Sequence, residues 1–444
     1  MSPLNRRILR LAVPNVLAAV SVPLVSVADA AMVGHLPRVA YLGAVVSAGA
    51  IFDVVFWGLG FLRMGTTALV AQYFGAGDRR ACAQTLYRSL LLALLLGLVV
   101  LLARDWIAHT GLGLAGGSPE VQEWGRRYFA VRAYGVPLAL ITLALNGFFL
   151  GTANALAPMC VITVANVVNV GADYALIFGK LGAPELGVVG AAWAAVLANL
   201  VAAVTGGLIL VKRYGAYLRE PVARLFARRP LALIFRTNLS LFGRTLCLLF
   251  AQFFMLAMVS RMGEVPLAAN AVIWPIWALV AYGVDGFAFA AETLVGNCLG
   301  ARDFVGARQV ARRIILWGIG IGSLFGVVYA VGLGPIARAF TDHEQVVEVT
   351  VSLTFLIAVV QPLNAVVFVF DGILIGANDM SYLFRAMLGA SFLVYLPAAL
   401  VLVYGLEWGI HGAWLAYNGL MLARFFTLLP RYVGGAWLRT FIPK

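Results

Sequence analysis

Charge is scarce in this chain. Only 11% of its 444 residues are Asp, Glu, Lys or Arg, less than half the share of an ordinary soluble domain. Long polar stretches are missing as well. That leaves no room for a soluble catalytic, nucleotide-binding or receptor domain, and it excludes an ATP-driven pump with its own motor. Cysteine is sparse: Cys82, Cys160, Cys247 and Cys298 stand singly, without a C-x-x-C pair, so neither a zinc site nor a disulfide framework is indicated. The four histidines, His35, His109, His343 and His411, form no metal-ligand spacing and fit surface or helix-end positions. No metal and no cofactor is expected.

Apolar residues are abundant instead. They make up 62% of the chain, and the mean hydropathy is +0.94. A water-soluble fold of this size has too little polar surface to hide so many, so the chain is read as an integral membrane protein. Its net charge of +13 would suggest nucleic acid in a soluble protein, but here the distribution decides. Basic residues cluster in alternate loops: Arg6, Arg7 and Arg10; Arg79, Arg80 and Arg88; Lys212 to Arg236; Arg302 to Arg313; and Arg431, Arg439 and Lys444. The positive-inside rule makes these loops cytoplasmic, so the charge reports topology and no nucleic-acid partner. Ala28-Asp29-Ala30 mimics a signal-peptidase site, yet the apolar run Leu11–Val33 is too long for a signal peptide and reads as an uncleaved first helix.

Apolar runs between charged or Gly/Pro-rich breaks predict twelve transmembrane helices, at 8–33, 40–72, 83–103, 121–149, 156–178, 188–211, 237–260, 266–296, 309–333, 346–375, 383–404 and 409–430. An even number puts both termini in the cytoplasm. The halves resemble each other. Val70 to Asp78 recurs as Val295 to Asp303, and Pro137, Gly147 and Gly151 recur as Pro362, Gly372 and Gly376, all at an offset of 225 residues; Gly187–Ala191 recurs as Gly409–Ala413 at 222. Six helices per half start both halves on the same side, so the repeat is parallel. The expected fold is all-α and polytopic: two six-helix bundles related by a parallel pseudo-two-fold, with an N-terminal lobe at 1–212, a cytoplasmic linker at 213–236 and a C-terminal lobe at 237–444. Shared glycines and prolines fit close packing and kinks, and Asp78 and Asp303 fit helix caps. Charges found in only one half are better functional candidates: Asp29 maps to Phe254, and Asp371 maps to Asn146.

An ionisable residue inside a span is costly and needs a reason. Asp29 and Asp173 lie at similar depth in spans that both enter from the cytoplasm. Asn166, Asn169 and Asp173 follow i, i+3, i+7 spacing and share one helix face. The two amides either belong to a binding site or simply hold helices together. Arg63, Arg244, Glu292 and Asp371 form a second set toward the cytoplasmic side, with Asp285 nearer mid-membrane. Opposite charges at one depth invite pairing, either as a fixed network or as a cytoplasmic gate; the expected contact is from Arg63 or Arg244 to Glu292 or Asp371. Pro14 and Pro23 each remove an internal hydrogen bond from the helix carrying Asp29, which gives a static kink or a hinge. Asp53 stands alone in the second span without an assigned role.

Several stretches resemble the multidrug and toxic compound extrusion (MATE) transporters, and in particular their DinF-type branch. These are Pro14, Pro23, Asp29 and Val33–Leu36 in the first helix, Phe61–Thr66, Asp285–Glu292 and Asp371–Gly376, with Gly409–Trp414 matching more weakly. The resemblance implies a V-shaped pair of six-helix bundles that exports amphiphilic, often cationic, organic compounds by alternating access, in exchange for protons or sodium, from the inner membrane and as a monomer. It also implies that Asp29, Asn169 and Asp173 form the proton or cation site of the N-terminal lobe. Related sequences often carry a Thr where this chain has Ala195, which removes an oxygen ligand and favours protons over sodium. A lipid-linked precursor flippase is the alternative within transport. It would need a cavity lined by several basic residues, and the buried ones expected here are chiefly Arg63 and Arg244. An intramembrane enzyme would need His, Asp or Glu clustered at a membrane face, and no such cluster occurs.

Overall fold

The computed structural model describes residues 2–221 and 225–440; Lys444 and residues 222–224 of the central basic loop lie outside them. Helices dominate, and no strand occurs among the described residues. Eleven helices among them are long and apolar enough to cross a membrane. They are α1 (Pro3–Gly34), α2 (Val39–Gly75), α3 (Arg79–Leu102), α4 (Pro119–Gly151), α5 (Leu156–Phe178), α6 (Gly187–Leu218), α7 (Pro230–Ser260), α8 (Glu264–Gly300), α9 (Phe304–Phe340), α10 (Thr354–Gly376) and α11 (Met380–Gly405). A further helix, α12 (Gly409–Val433), covers the last expected span.

Two boundaries differ from expectation for local reasons. The expected span 346–375 is divided at Leu353 into a short helix, Glu344–Ser352, and α10. Around the break Ser352 Oγ donates to Val349 O at 2.7 Å and Thr354 Oγ1 to Val351 O at 2.6 Å, side-chain bonds that compete with the helical ladder. The central basic connection is shorter than expected, because α6 runs on to Leu218 and α7 starts by Pro230.

The internal repeat is visible in the backbone. Asp78 Oδ1 accepts from Ala81 N at 2.9 Å to cap α3, and Asp303 Oδ1 accepts from Gly306 N at 2.8 Å to cap α9, as N-cap chemistry predicts. Gly77 and Arg302, one residue earlier, have φ of 72° and 60°, and the matched loop residues Ala153 and Asn378 have φ of 58° and 60°. Such left-handed conformations are rare outside glycine, so their recurrence at one offset shows the same turn built twice.

Two compact units result: Leu17–Ile234, and Met1–Val16 together with Phe235–Lys444. They are the N-terminal and C-terminal units respectively. The first sixteen residues of the chain thus group with its second half, and the division falls between Pro14 and Pro23. In the N-terminal unit α4 packs against α2, α3 and α6; in the C-terminal unit its repeat partner α10 packs against α8, α9 and α12. These two central helices are the most buried, with 67% of the most apolar stretch of each enclosed by protein. Glycines make the approach close. A Cβ on Gly147 would lie 2.6 Å from Arg63 O, and one on Gly372 would press into Ala288 O, the repeat-related carbonyl. Gly97 and Gly322 sit in the same way against Pro137 and Pro362. In lipid, where apolar burial drives little helix association, such backbone contact supplies dispersion energy. Leu24, Val27, Val167 and Val331 are largely exposed, which a chain set in a bilayer tolerates.

Candidate functional site

Asp29 lies near the end of α1 and Asp173 near the end of α5, so both carboxyls reach the same end of the N-terminal unit. They come within hydrogen-bonding reach of each other. Asp173 is 1% exposed and Asn169 is 7% exposed. Among the described residues no donor elsewhere reaches Asp29 Oδ1 or either Asp173 oxygen, and Asn169 Nδ2 has no acceptor. Buried polar atoms are nearly always paired, so this set of groups is built to take something. Two carboxylates repel, whereas two carboxyls holding one proton hydrogen-bond and titrate as a unit.

Asn166 sits apart from this group. Its Nδ2 donates to Ser21 Oγ at 2.9 Å, and Ser21 Oγ donates to Ala18 O at 2.8 Å, so it ties α5 to α1. Pro14 and Pro23 both lie inside the continuous helix α1. Each withholds the N–H that would bond the carbonyl four residues back, one on either side of the division between units.

Arg132 was not among the expected site residues. It stands on α4, within electrostatic reach of Asp29, Asp53 and Asp173, which gives the isolated Asp53 a neighbour of opposite charge. Its Nη1 donates to Tyr128 Oη at 2.9 Å, and its Cζ lies 4.7 Å from the centroid of the Phe52 ring. The ring face and the phenol hold the guanidinium in place.

The C-terminal unit contains a different charge cluster. Asp371 Oδ2 on α10 accepts from Arg244 Nη2 on α7 and from Arg424 Nη2 on α12. Asp371 and Arg424 are buried, with side chains 7% and 3% exposed, and Arg244 is partly buried at 11%. The expected contact of Arg244 with Asp371 is therefore present, and Arg424 joins it. Glu292 on α8 is 1% exposed, with its backbone carbonyl packed against Gly376 of α10. Asp285 lies two turns earlier on α8. Arg63 belongs to the N-terminal unit, where Gly147 packs on its carbonyl. The expectation that Arg63 and Arg244 are the chief buried basic residues is corrected: Arg424 and Arg88, at 2% and 6% exposure, are buried. Arg88 Nε donates to Leu225 O at 2.8 Å.

Both Arg132 and Arg424 carried a signal that was available in the sequence. At the repeat offsets they face Ile357 and Ala202, so each is a charge present in only one half.

The family model MatE matches the chain twice, at residues 14–175 and 241–401. The chain is 32% identical to DNA damage-inducible protein F of Escherichia coli over 96% of its own length and 91% of that protein. It is 29% identical to the probable multidrug resistance protein NorM of Bradyrhizobium diazoefficiens over 96% of this chain and 94% of the relative. Among solved structures, a crystal structure of MATE in the bent conformation superposes with a TM-score of 0.89 at 21% identity, covering 99% of this chain and 97% of that one. A MOP superfamily transporter from Pyrococcus furiosus gives a TM-score of 0.88 at 21% identity, with the same coverage.

Proposed function

The chain belongs to the MATE family of membrane transporters and is not an enzyme; from that premise we propose that it is a secondary antiporter, which exports amphiphilic, often cationic, organic molecules in exchange for protons. The observation that carries this reading is the pairing of partly buried Asp29 with buried Asp173: the two carboxyls lie within reach of each other, and among the described residues no other donor reaches Asp29 Oδ1 or either Asp173 oxygen. Such a pair can hold one proton and exchange it. With the proton bound, the two carboxyls bridge α1 and α5. With the proton lost, their mutual repulsion loosens that bridge, and Arg132 offsets part of the second negative charge. Alternating access follows if α1 bends at Pro14 and Pro23, because its two ends belong to different units.

Protons fit this site better than sodium. A sodium ion needs several oxygen ligands; Ala195 supplies none from its side chain, and a guanidinium already lies within electrostatic reach of the carboxyls. The flippase reading is weaker because Arg244 and Arg424 both pair with Asp371, which commits one donor of each and halves the positive charge they could offer a phosphate. We further propose a monomer in the inner membrane, with both termini in the cytoplasm and the buried cluster around Asp371 at the cytoplasmic end.

Export in proteoliposomes, with proton and sodium gradients imposed separately, tests the reading. An inward proton gradient is expected to drive a lipophilic organic cation outward, and a sodium gradient alone is expected to drive none. Export on sodium alone, with none on protons, would mean that the coupling ion is wrong.

A further inference from the structure

In the C-terminal unit rings stand where the N-terminal unit has carboxyls. The repeat partner of Asp29 is Phe254, and α11, the counterpart of α5, contains no acidic residue. Phe254 stacks on Phe250 with centroids 5.6 Å apart and meets Tyr395 edge-on at 6.1 Å. Tyr395 meets Tyr417 at 6.0 Å, and Tyr417 meets Trp274 at 5.5 Å and Trp277 at 5.3 Å. The result is a continuous aromatic cluster across α7, α8, α11 and α12.

Beside this cluster a cavity of about 280 Å³ opens between α7 and α8. Gln252, Phe253 and Leu256 line it from α7, and Asn270, Ala271 and Trp274 line it from α8; no lining side chain is charged. Two acceptors on the α8 wall stand out, one without a partner and one without its usual helical donor. Asn270 is 5% exposed, and its Oδ1 has no hydrogen-bond partner among the described residues. Pro275, inside α8, has no N–H to give the carbonyl of Ala271 one turn earlier. At the repeat positions the first half has Val45 and Gly49 in place of Asn270 and Trp274, so it lacks both the amide and the indole of this wall.

Flat aromatic walls favour stacking and the approach of a cation, and the unpaired amide oxygen of Asn270, with the Ala271 carbonyl that Pro275 leaves without its i+4 donor, suits a ligand that donates hydrogen bonds. We propose that this cavity is the substrate subsite for the planar aromatic part of an exported molecule, which presents N–H groups to Asn270 Oδ1 and the Ala271 carbonyl. The two units then take separate roles, the N-terminal unit handling the proton and the C-terminal unit recognising the organic molecule. This assignment rests on the antiporter reading for its physiological meaning, but the binding itself needs no gradient.

The experiment is equilibrium binding to the full-length protein in lipid nanodiscs, without an ion gradient and with two dyes. Ethidium is a planar aromatic cation with exocyclic amines; tetraphenylphosphonium has the same charge and aromatic rings but no N–H. Asn270→Leu, close in size, is expected to weaken ethidium about tenfold, equivalent to about 1.4 kcal/mol, and to leave tetraphenylphosphonium unchanged. Ala271→Trp, at an exposed position on the cavity wall, fills the space and is expected to weaken both dyes at least about tenfold. It decides the matter if Asn270→Leu folds poorly. Unchanged ethidium binding in Ala271→Trp, or equal loss of both dyes in a folded Asn270→Leu, overturns the subsite. So does a wild type that binds neither dye. Proton-driven export measured in parallel reports on antiport separately, so a failure of one reading is distinguishable from a failure of the other.

Discussion

Asp29→Asn is expected to abolish proton-driven export while leaving the protein folded and inserted. The amide keeps the size and the hydrogen-bonding capacity of the carboxyl but cannot take up and release the coupling proton. Because Asp173 is the partner within reach, Asp173→Asn should fail in the same way: neither single carboxyl can share a proton with an amide as it does with a second acid. Export under a proton gradient in proteoliposomes should fall at least about a hundredfold in both variants. Asn166→Ala is the control. It removes only the 2.9 Å bond to Ser21, a loss of about 0.5–1.5 kcal/mol, and export should persist. Wild-type export by Asp29→Asn would sink the coupling role of the pair.

Asp371→Asn should be the most destabilising single change in the C-terminal unit. The carboxylate is the shared partner of Arg244 and Arg424; it and Arg424 are buried, and Arg244 is partly buried. Removing its charge leaves two guanidiniums without compensation, and breaking a buried pair in this way costs about 3–5 kcal/mol. Arg244→Met should cost less, because Asp371 keeps Arg424. The readout is the thermal unfolding midpoint in detergent, with Asp371→Asn well below Arg244→Met and both below wild type. Equal midpoints for Asp371→Asn and wild type would mean that the cluster does not tie α7, α10 and α12 together.

The spans were legible because a bilayer demands long apolar runs, and the chain repeats its punctuation. Asp78 and Asp303, read as caps from position alone, cap α3 and α9. The meeting of Asp29 and Asp173 was legible from depth, since both helices enter from one side and rise equally per residue. Other features were hidden for identifiable reasons. Arg132 and Arg424 belong to none of the basic loop clusters, and only three-dimensional packing shows which carboxylates each serves. The break at Leu353 depends on Ser352 and Thr354 turning back on their own helix, which apolar periodicity does not register. The grouping of the first sixteen residues with the second half depends on tertiary contacts; one of these is Gly286 of α8, where an added Cβ would press into Ala12 and Val16. The donor-poor cavity near Asn270 needed the fold as well, because Asn270 looks like an ordinary polar residue near the start of an apolar span.

The most direct measurement of the central claim is proton release on substrate binding. The purified protein in weakly buffered detergent solution is mixed with a lipophilic organic cation, and the pH change is followed with an indicator dye. The account predicts that wild type releases protons on binding and that Asp29→Asn binds the cation without releasing any. Release of the same size from Asp29→Asn, or binding by wild type with no release, would contradict it.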